Sequence, residues 1–193
     1  MLTLAGISLA LLAPAAAQQV QVTLDRSQTR IDWTLGGVLH TVQGTFQLKS
    51  SAILFDPKTG EASGQIVVDA ASGNSGNGAR DGKMKKEVLE TARYPDIVFR
   101  AKQVSGFVSG QDSLTIQVAG NFTMHGGTHD LTLTFPIVVK NTALEAHTKF
   151  DVPYVNWGMK DPSTLFLKVD KSVPISIAAA GELQPAGASR SSN

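Results

Sequence analysis

LTIQVAGNFTM, residues 114–124, alternates with a period of two. Leu114, Ile116, Val118, Phe122 and Met124 fall on one side, and Thr115, Gln117, Ala119, Asn121 and Thr123 on the other. Alternation over this length is the mark of a β-strand with one buried face. Gly120 takes one of the apolar places, and a glycine inside a strand marks a bend or a close approach, as the curve of a barrel requires.

The same pattern spreads in both directions. Towards the C-terminus it recurs at Leu131, Leu133, Phe135 and Ile137, then at Leu144, Ala146, Thr148, Phe150 and Val152. It continues at Leu165, Leu167 and Val169, and ends at Val173, Ile175 and Ile177. Towards the N-terminus it appears at Ile97, Phe99 and Ala101, at Ile66, Val68 and Ala70, and at Ile53 and Phe55. Val42, Phe46 and Leu48, then Ile31, Trp33 and Leu35, then Val20, Val22 and Leu24 complete it. Gly44 interrupts one of these faces as Gly120 does another. Gly36-Gly37, Asp56-Pro57-Lys58-Thr59-Gly60 and the stretch Gly106 to Gly110 supply turn chemistry.

One stretch departs from the pattern. After Val68 the chain meets the cluster Ser72-Gly73-Asn74-Ser75-Gly76-Asn77-Gly78 and turns helical from about Arg80. Asn77 or Asp81 is placed to cap that helix. Met84, Val88 and Leu89 form a narrow apolar stripe, with Lys83–Glu87 and Lys86–Glu90 as i,i+4 pairs on the wet side. Pro95 ends the helix. A helix this short needs a surface to cover, which in an all-β chain makes it a closure. Arg80 and Asp81 read either as an ion pair that orients the helix or, for Arg80, as a guanidinium for a ligand phosphate.

About eight long antiparallel strands are best closed into a barrel, and a barrel of that size is either filled or holds one ligand. The inward faces carry Phe, Ile, Leu, Val and Met with small residues between, so a cavity would be apolar. The chain of 193 residues is long enough for one domain with its own core. Its division is a signal peptide at 1–17, a barrel domain at 18–182 and a disordered tail at 183–193. Leu2 to Leu12 is apolar and Ala15-Ala16-Ala17 suits cleavage before Gln18, although no Lys or Arg comes first. Export to the periplasm or medium is the expectation, with no stable membrane insertion of the mature chain.

Cysteine is absent, which removes disulfides, thiolate nucleophiles and Cys-ligated metals. A net charge of +1 without charge runs argues against a nucleic-acid partner. No GxSxG, HExxH or P-loop is present, so no catalytic residue is assigned. His125, His129, Asp130, His40 and His147 are the only metal-like set, and nothing fixes a third ligand. No metal or cofactor is expected.

The chain from about Leu24 to Ala180 resembles the YceI-like family of exported, lipocalin-like, polyisoprenoid-binding proteins. The resemblance rests on LDRSQTRIDWTL at 24–35, His40-Thr41-Val42-Gln43-Gly44-Thr45-Phe46, Phe55-Asp56-Pro57 and Val68-Asp69-Ala70-Ala71-Ser72. Arg80-Asp81, Tyr94-Pro95-Asp96-Ile97-Val98-Phe99 and the hairpin Gly120 to Gly126, leading into LTLTF, extend it. It implies an extended antiparallel barrel whose long pore holds an isoprenoid or fatty lipid tail. The stretch Phe150 to Ser163 differs from the Asn-Arg-x-Asp-Phe-Gly type of segment common in relatives, and Val88-Leu89-Glu90 stands where many have Asp-Phe-Phe. Both departures fall at the expected mouth and lid, where they bear on which lipid is held.

The residues expected to contact ligand are Trp33, Phe46, Val68, Met84, Val88, Leu89, Phe99, Ile116, Val118, Phe122, Leu133, Phe150 and Trp157. For Trp157, in a proline-bounded loop, rimming the pore and plugging a corner are both open. The expected function is sequestration or carriage of a polyisoprenoid or other long-chain lipid by a protein that is not an enzyme; a homodimer is compatible with this. The alternatives are a closed-core barrel that binds another protein on its exterior and a metal-dependent periplasmic enzyme.

Overall fold

A computed structural model describes residues 19–38, 40–165 and 167–187. The expected signal peptide at 1–17 and the tail from 188 onward lie outside the described residues. Among the described residues there are nine strand segments: β1 Val20–Leu24, β2 Arg30–Leu35, β3 Val42–Phe55, β4 Ala62–Asn74, β5 Asp96–Ser105, β6 Ser113–Met124, β7 Gly127–Lys140, β8 Ala143–Val152 and β9 Val173–Pro185. The helix α1 spans Gly78–Lys83 and continues as a π-helical turn over Met84–Val88.

Nine segments occupy eight positions in the barrel. β1 pairs with the C-terminal parts of β3 and β9, through Val20↔Phe55 and Val20↔Pro185. β2 pairs with their N-terminal parts, through Ile31↔Phe46 and Ile31↔Ile177. The two short strands therefore lie end to end in one column between β3 and β9. The break at 25–29 stays attached to β9: Asp25 N–H donates to the Ala180 carbonyl at 2.8 Å, and Ala180 N–H donates to Thr29 Oγ1 at 3.3 Å. The Asp25 side chain collects Ser27 N–H at 2.7 Å, which shapes the turn. Every other neighbour is antiparallel, and β3 pairing with β4 closes the barrel.

Two glycines act through the space they leave. Gly44 faces Trp33 across the β2–β3 pair, and a Cβ there would stand 2.4 Å from the indole ring. At Gly120 a Cβ would lie 2.2 Å from the Arg100 carbonyl oxygen and 2.8 Å from the Phe99 ring, beside the irregularity between Ala101 and Gln103. Close approach, in a curved sheet, explains both.

Three details differ from expectation. Leu165, Leu167 and Val169 do not form a strand: only Val169 bridges, to Gly37, and Leu165 is 81% exposed. Alternation imitates a strand in a loop that finds no neighbouring strand to pair with. β9 runs on through Leu183 to Pro185 because β1 pairs along it, so the barrel ends beyond 182. Ile53 and Phe55 belong to a single long strand with Val42 to Leu48, bent by register shifts near Gln47 and Ser50.

The long connections collect at one end. Residues 36–41, 75–95 and 153–172 join strands at the same mouth, where the two-residue turn His125-Gly126 also lies. The opposite end is closed by packing. Val20, Phe55 and Val104 are buried there with Phe107, Ile116, Val118 and Leu183 against them. Phe107 comes from the 106–112 connection, and its ring meets that of Phe55 edge-on at 5.0 Å. Ile137, Leu144, Ala146 and Ala179 fill the neighbouring part of the interior.

Candidate functional site: a lidded apolar cavity

The mouth half of the barrel is hollow. It holds a cavity of about 540 Å³, within the usual range for small-molecule sites. Strand residues Ile31, Trp33, Leu35, Val42, Phe46, Val68, Ile97, Phe122, Met124, Phe150, Val152, Val173, Ile175 and Ile177 line it. The cover consists of Arg80, Lys83, Met84, Val88 and Leu89 from the helix, Tyr154 and Met159 from the 153–160 turn, and Val38, Thr164, Leu167, Lys168 and Val169 from the loops.

The helix is placed by its cap. Asn77 accepts Arg80 N–H at 3.0 Å. Asp81 is not the cap: it is buried and takes Ser75 N–H at 3.0 Å as well as the Ser75 hydroxyl. Arg80 does not pair with Asp81. Its Nε donates to Ser75 Oγ at 2.8 Å and an Nη to the Ser75 carbonyl at 3.0 Å. Ser75 thus lies between the two charged residues and fixes both to the loop before the helix.

The next turn widens. Leu89 N–H donates to the Met84 carbonyl at 2.9 Å, five residues back. That spacing removes the expected i,i+4 ion pairs. Glu87 instead meets Lys160 of the 153–160 turn at 2.6 Å, and Glu90 lies 3.3 Å from His125. Lys160 holds the Glu87 carboxyl below its usual range, while that of Asp161 is lowered by its hydrogen bonds from Ser163. Met84, Val88 and Leu89 all face the cavity, and the Met84 methyl sits over Gly73, where Phe46 also packs. Tyr154 is buried and donates to the Asp170 carbonyl at 2.9 Å. Burial, helped by Asp161 and Asp170, pushes its phenol up to about 12.

Eight of the thirteen residues expected to contact ligand line the cavity: Trp33, Phe46, Val68, Met84, Val88, Leu89, Phe122 and Phe150. Five do not. Ile116 and Val118 pack toward the filled end, and Phe99 and Leu133 are buried core beside the cavity. Trp157 stacks on His129 at 4.0 Å and packs on Phe122 at 5.7 Å, so it plugs a corner. Tyr154, Met159, Val38, Thr164 and Lys168 were not expected there, because a turn has no periodicity to reveal its inward side chains; Leu167 and Val169 alternate, but as a strand they were not expected to cover the mouth. Trp33 Nε1 is buried with no hydrogen-bond partner, and so is His129 Nε2. His125 and His129 are thus engaged by Glu90 and Trp157, and no group of three potential metal ligands occurs among the described residues.

These features define a closed β-barrel, filled at one end, with a lidded apolar cavity at the other. A family model described as YceI-like domain matches residues 22–180, and the chain belongs to that family. Three solved structures share the fold. BcnA of Burkholderia cenocepacia is 15% identical with a TM-score of 0.64, over 81% of this chain and 98% of its own. A polyisoprenoid binding domain from Saccharophagus degradans, implicated in plant cell wall breakdown, is 17% identical at 0.65, over 84% and 98%. The Campylobacter jejuni YCEI protein is 15% identical at 0.53, over 93% and 92%. No curated protein matches the chain.

Proposed function

We propose that this protein binds the apolar tail of a lipid, a polyisoprenoid or another long chain, and sequesters it from water without chemical change. The carrying observation is the 540 Å³ cavity, walled by aliphatic and aromatic side chains and blind at its inner end. The polyisoprenoid-binding neighbour from Saccharophagus degradans supports the same ligand class. A closed-core module would need the mouth half filled as the far half is. A second depression, of about 660 Å³ outside the far end, mixes Asp56, Lys58 and Asp112 with Phe107 and Val108 and suits no tail.

Burial of each methylene contributes about 0.8 kcal/mol, so affinity comes from tail length rather than from polar contacts. The proposed place of action is outside the cytoplasm, following the apolar segment at 2–12. Native mass spectrometry of protein purified from its own host, followed by solvent extraction, tests the reading. An adduct that extracts as a prenyl or acyl lipid is expected. A bare chain that also takes up no prenyl or acyl lipid offered afterwards would overturn it.

A further inference from the structure

The large apolar side chains exposed among the described residues are Val38, Val108, Val138, Leu165 and Leu167. Three of these five belong to two loops at the cavity mouth. Val38 is 77%, Leu165 81% and Leu167 46% exposed. The loops are joined, since Val38 N–H donates to the Lys168 carbonyl at 3.1 Å and Gly37 bridges Val169. Thr164 N–H donates to the Leu167 carbonyl at 2.8 Å and Leu167 N–H to Thr164 Oγ1 at 3.1 Å, which ties these two residues together. Leu165, next to Thr164, faces solvent.

Grouped apolar exposure of this kind marks a surface that something covers. We propose that the rim docks on a bilayer bearing anionic headgroups, so that the cavity opens against the membrane. Continuity is the first argument. Val38 and Leu167 also wall the cavity, so the rim and the interior form one apolar surface. A tail leaving a bilayer would reach the cavity along it without crossing water.

Charge is the second argument. Arg80, Lys83 and Lys168 stand around the opening, and no carboxylate is among the residues that line it. None of the three has an ion-pair partner among the described residues. The nearby acids Asp81, Glu87, Asp161 and Asp170 are outside that lining: Asp81 accepts from Ser75, Glu87 meets Lys160, and Asp161 accepts Ser163 N–H and faces Lys171 and Lys168. Asp170 lies against Gly36, with Lys171 next in the chain. The positive excess among the lining residues therefore comes from Arg80 and Lys83 on the helix and Lys168 on the loop. Each cation near an anionic bilayer adds to binding, and salt screens it. A soluble protein partner would need no such coincidence of cations, exposed leucines and an adjoining apolar cavity.

The lipid reading gives the docking its purpose, but the docking can be tested without cargo. Purified full chain, and in parallel the chain begun at Gln18, is floated with phosphatidylcholine vesicles with and without phosphatidylglycerol. Both forms are expected to float with the anionic vesicles, and less so as salt rises. Leu165→Asp should lower the floated fraction severalfold, while Val108→Asp at the far end leaves it unchanged. Leu165→Trp should show a blue shift in emission when anionic vesicles are added. Flotation of the full chain alone, or wild-type behaviour of Leu165→Asp, would overturn the proposal. Equal binding to neutral vesicles would overturn its electrostatic part. Protein left at the bottom would favour a soluble partner for the rim, whatever the outcome of lipid loading.

Discussion

Trp33 and Gly44 show how closely single residues set the cavity wall. The indole lies in the space that a Cβ at Gly44 would fill, 2.4 Å away, with the Asn74 carbonyl only 2.6 Å from the same point. Gly44→Ala must therefore displace the ring. Overpacking of this kind costs about 1–3 kcal/mol. The variant should unfold at lower denaturant and show altered Trp emission; an unchanged midpoint would refute the contact. Tyr154 offers a second test. Its folded pKa of about 12 lies above the unfolded value of 10.0. Its stabilisation is therefore complete below the unfolded value and is lost as pH rises through the folded one. Tyr154→Phe should flatten the alkaline fall of stability in urea melts. A wild-type alkaline slope in the variant would assign that fall to other groups.

At the scale of elements, the lid is the helix with its π turn, strapped by Glu87 and Lys160 to the 153–160 turn at 2.6 Å. Both groups are exposed, so the pair adds little to global stability, and its effect belongs to opening. Lys160→Gln should leave the melting temperature nearly unchanged but speed release of a bound fluorescent tail. Glu87 is held below its ordinary carboxyl pKa by Lys160, so the strap is intact above that ordinary value and fails as pH falls through the folded one. Release by wild-type protein should quicken in acid, and that acceleration should vanish in the variant. Met84→Asp puts a charge against the cavity. It should abolish tail uptake while the far-UV spectrum stays that of the folded barrel; normal loading would remove the helix from the mechanism.

Sequence patterns reveal burial, and that governed what could be read at each place. LTIQVAGNFTM was legible as a strand because one face is half-buried or buried along its whole length. The helix was legible from the same kind of local chemistry, but its cap only as far as a choice between Asn77 and Asp81, which the structure resolves to Asn77. Leu165, Leu167 and Val169 alternate as regularly, yet their segment has no strand partner beyond the single Val169–Gly37 bridge. Ile116 and Phe122 occupy equivalent places in one alternation, but only Phe122 meets the cavity. Whether a barrel is hollow depends on the summed volume of side chains from eight columns and on plugs such as Phe107, which no single strand records.

For the molecule as a whole, the division into a filled half and a hollow half is the central claim. A blind cavity accepts tail until it reaches the packed floor. Binding isotherms for straight-chain alcohols of increasing length test this directly. Affinity should rise about fourfold per methylene, at roughly 0.8 kcal/mol each, and then level off once the tail fills the cavity. Affinity independent of length, or no binding at any length, would contradict the account.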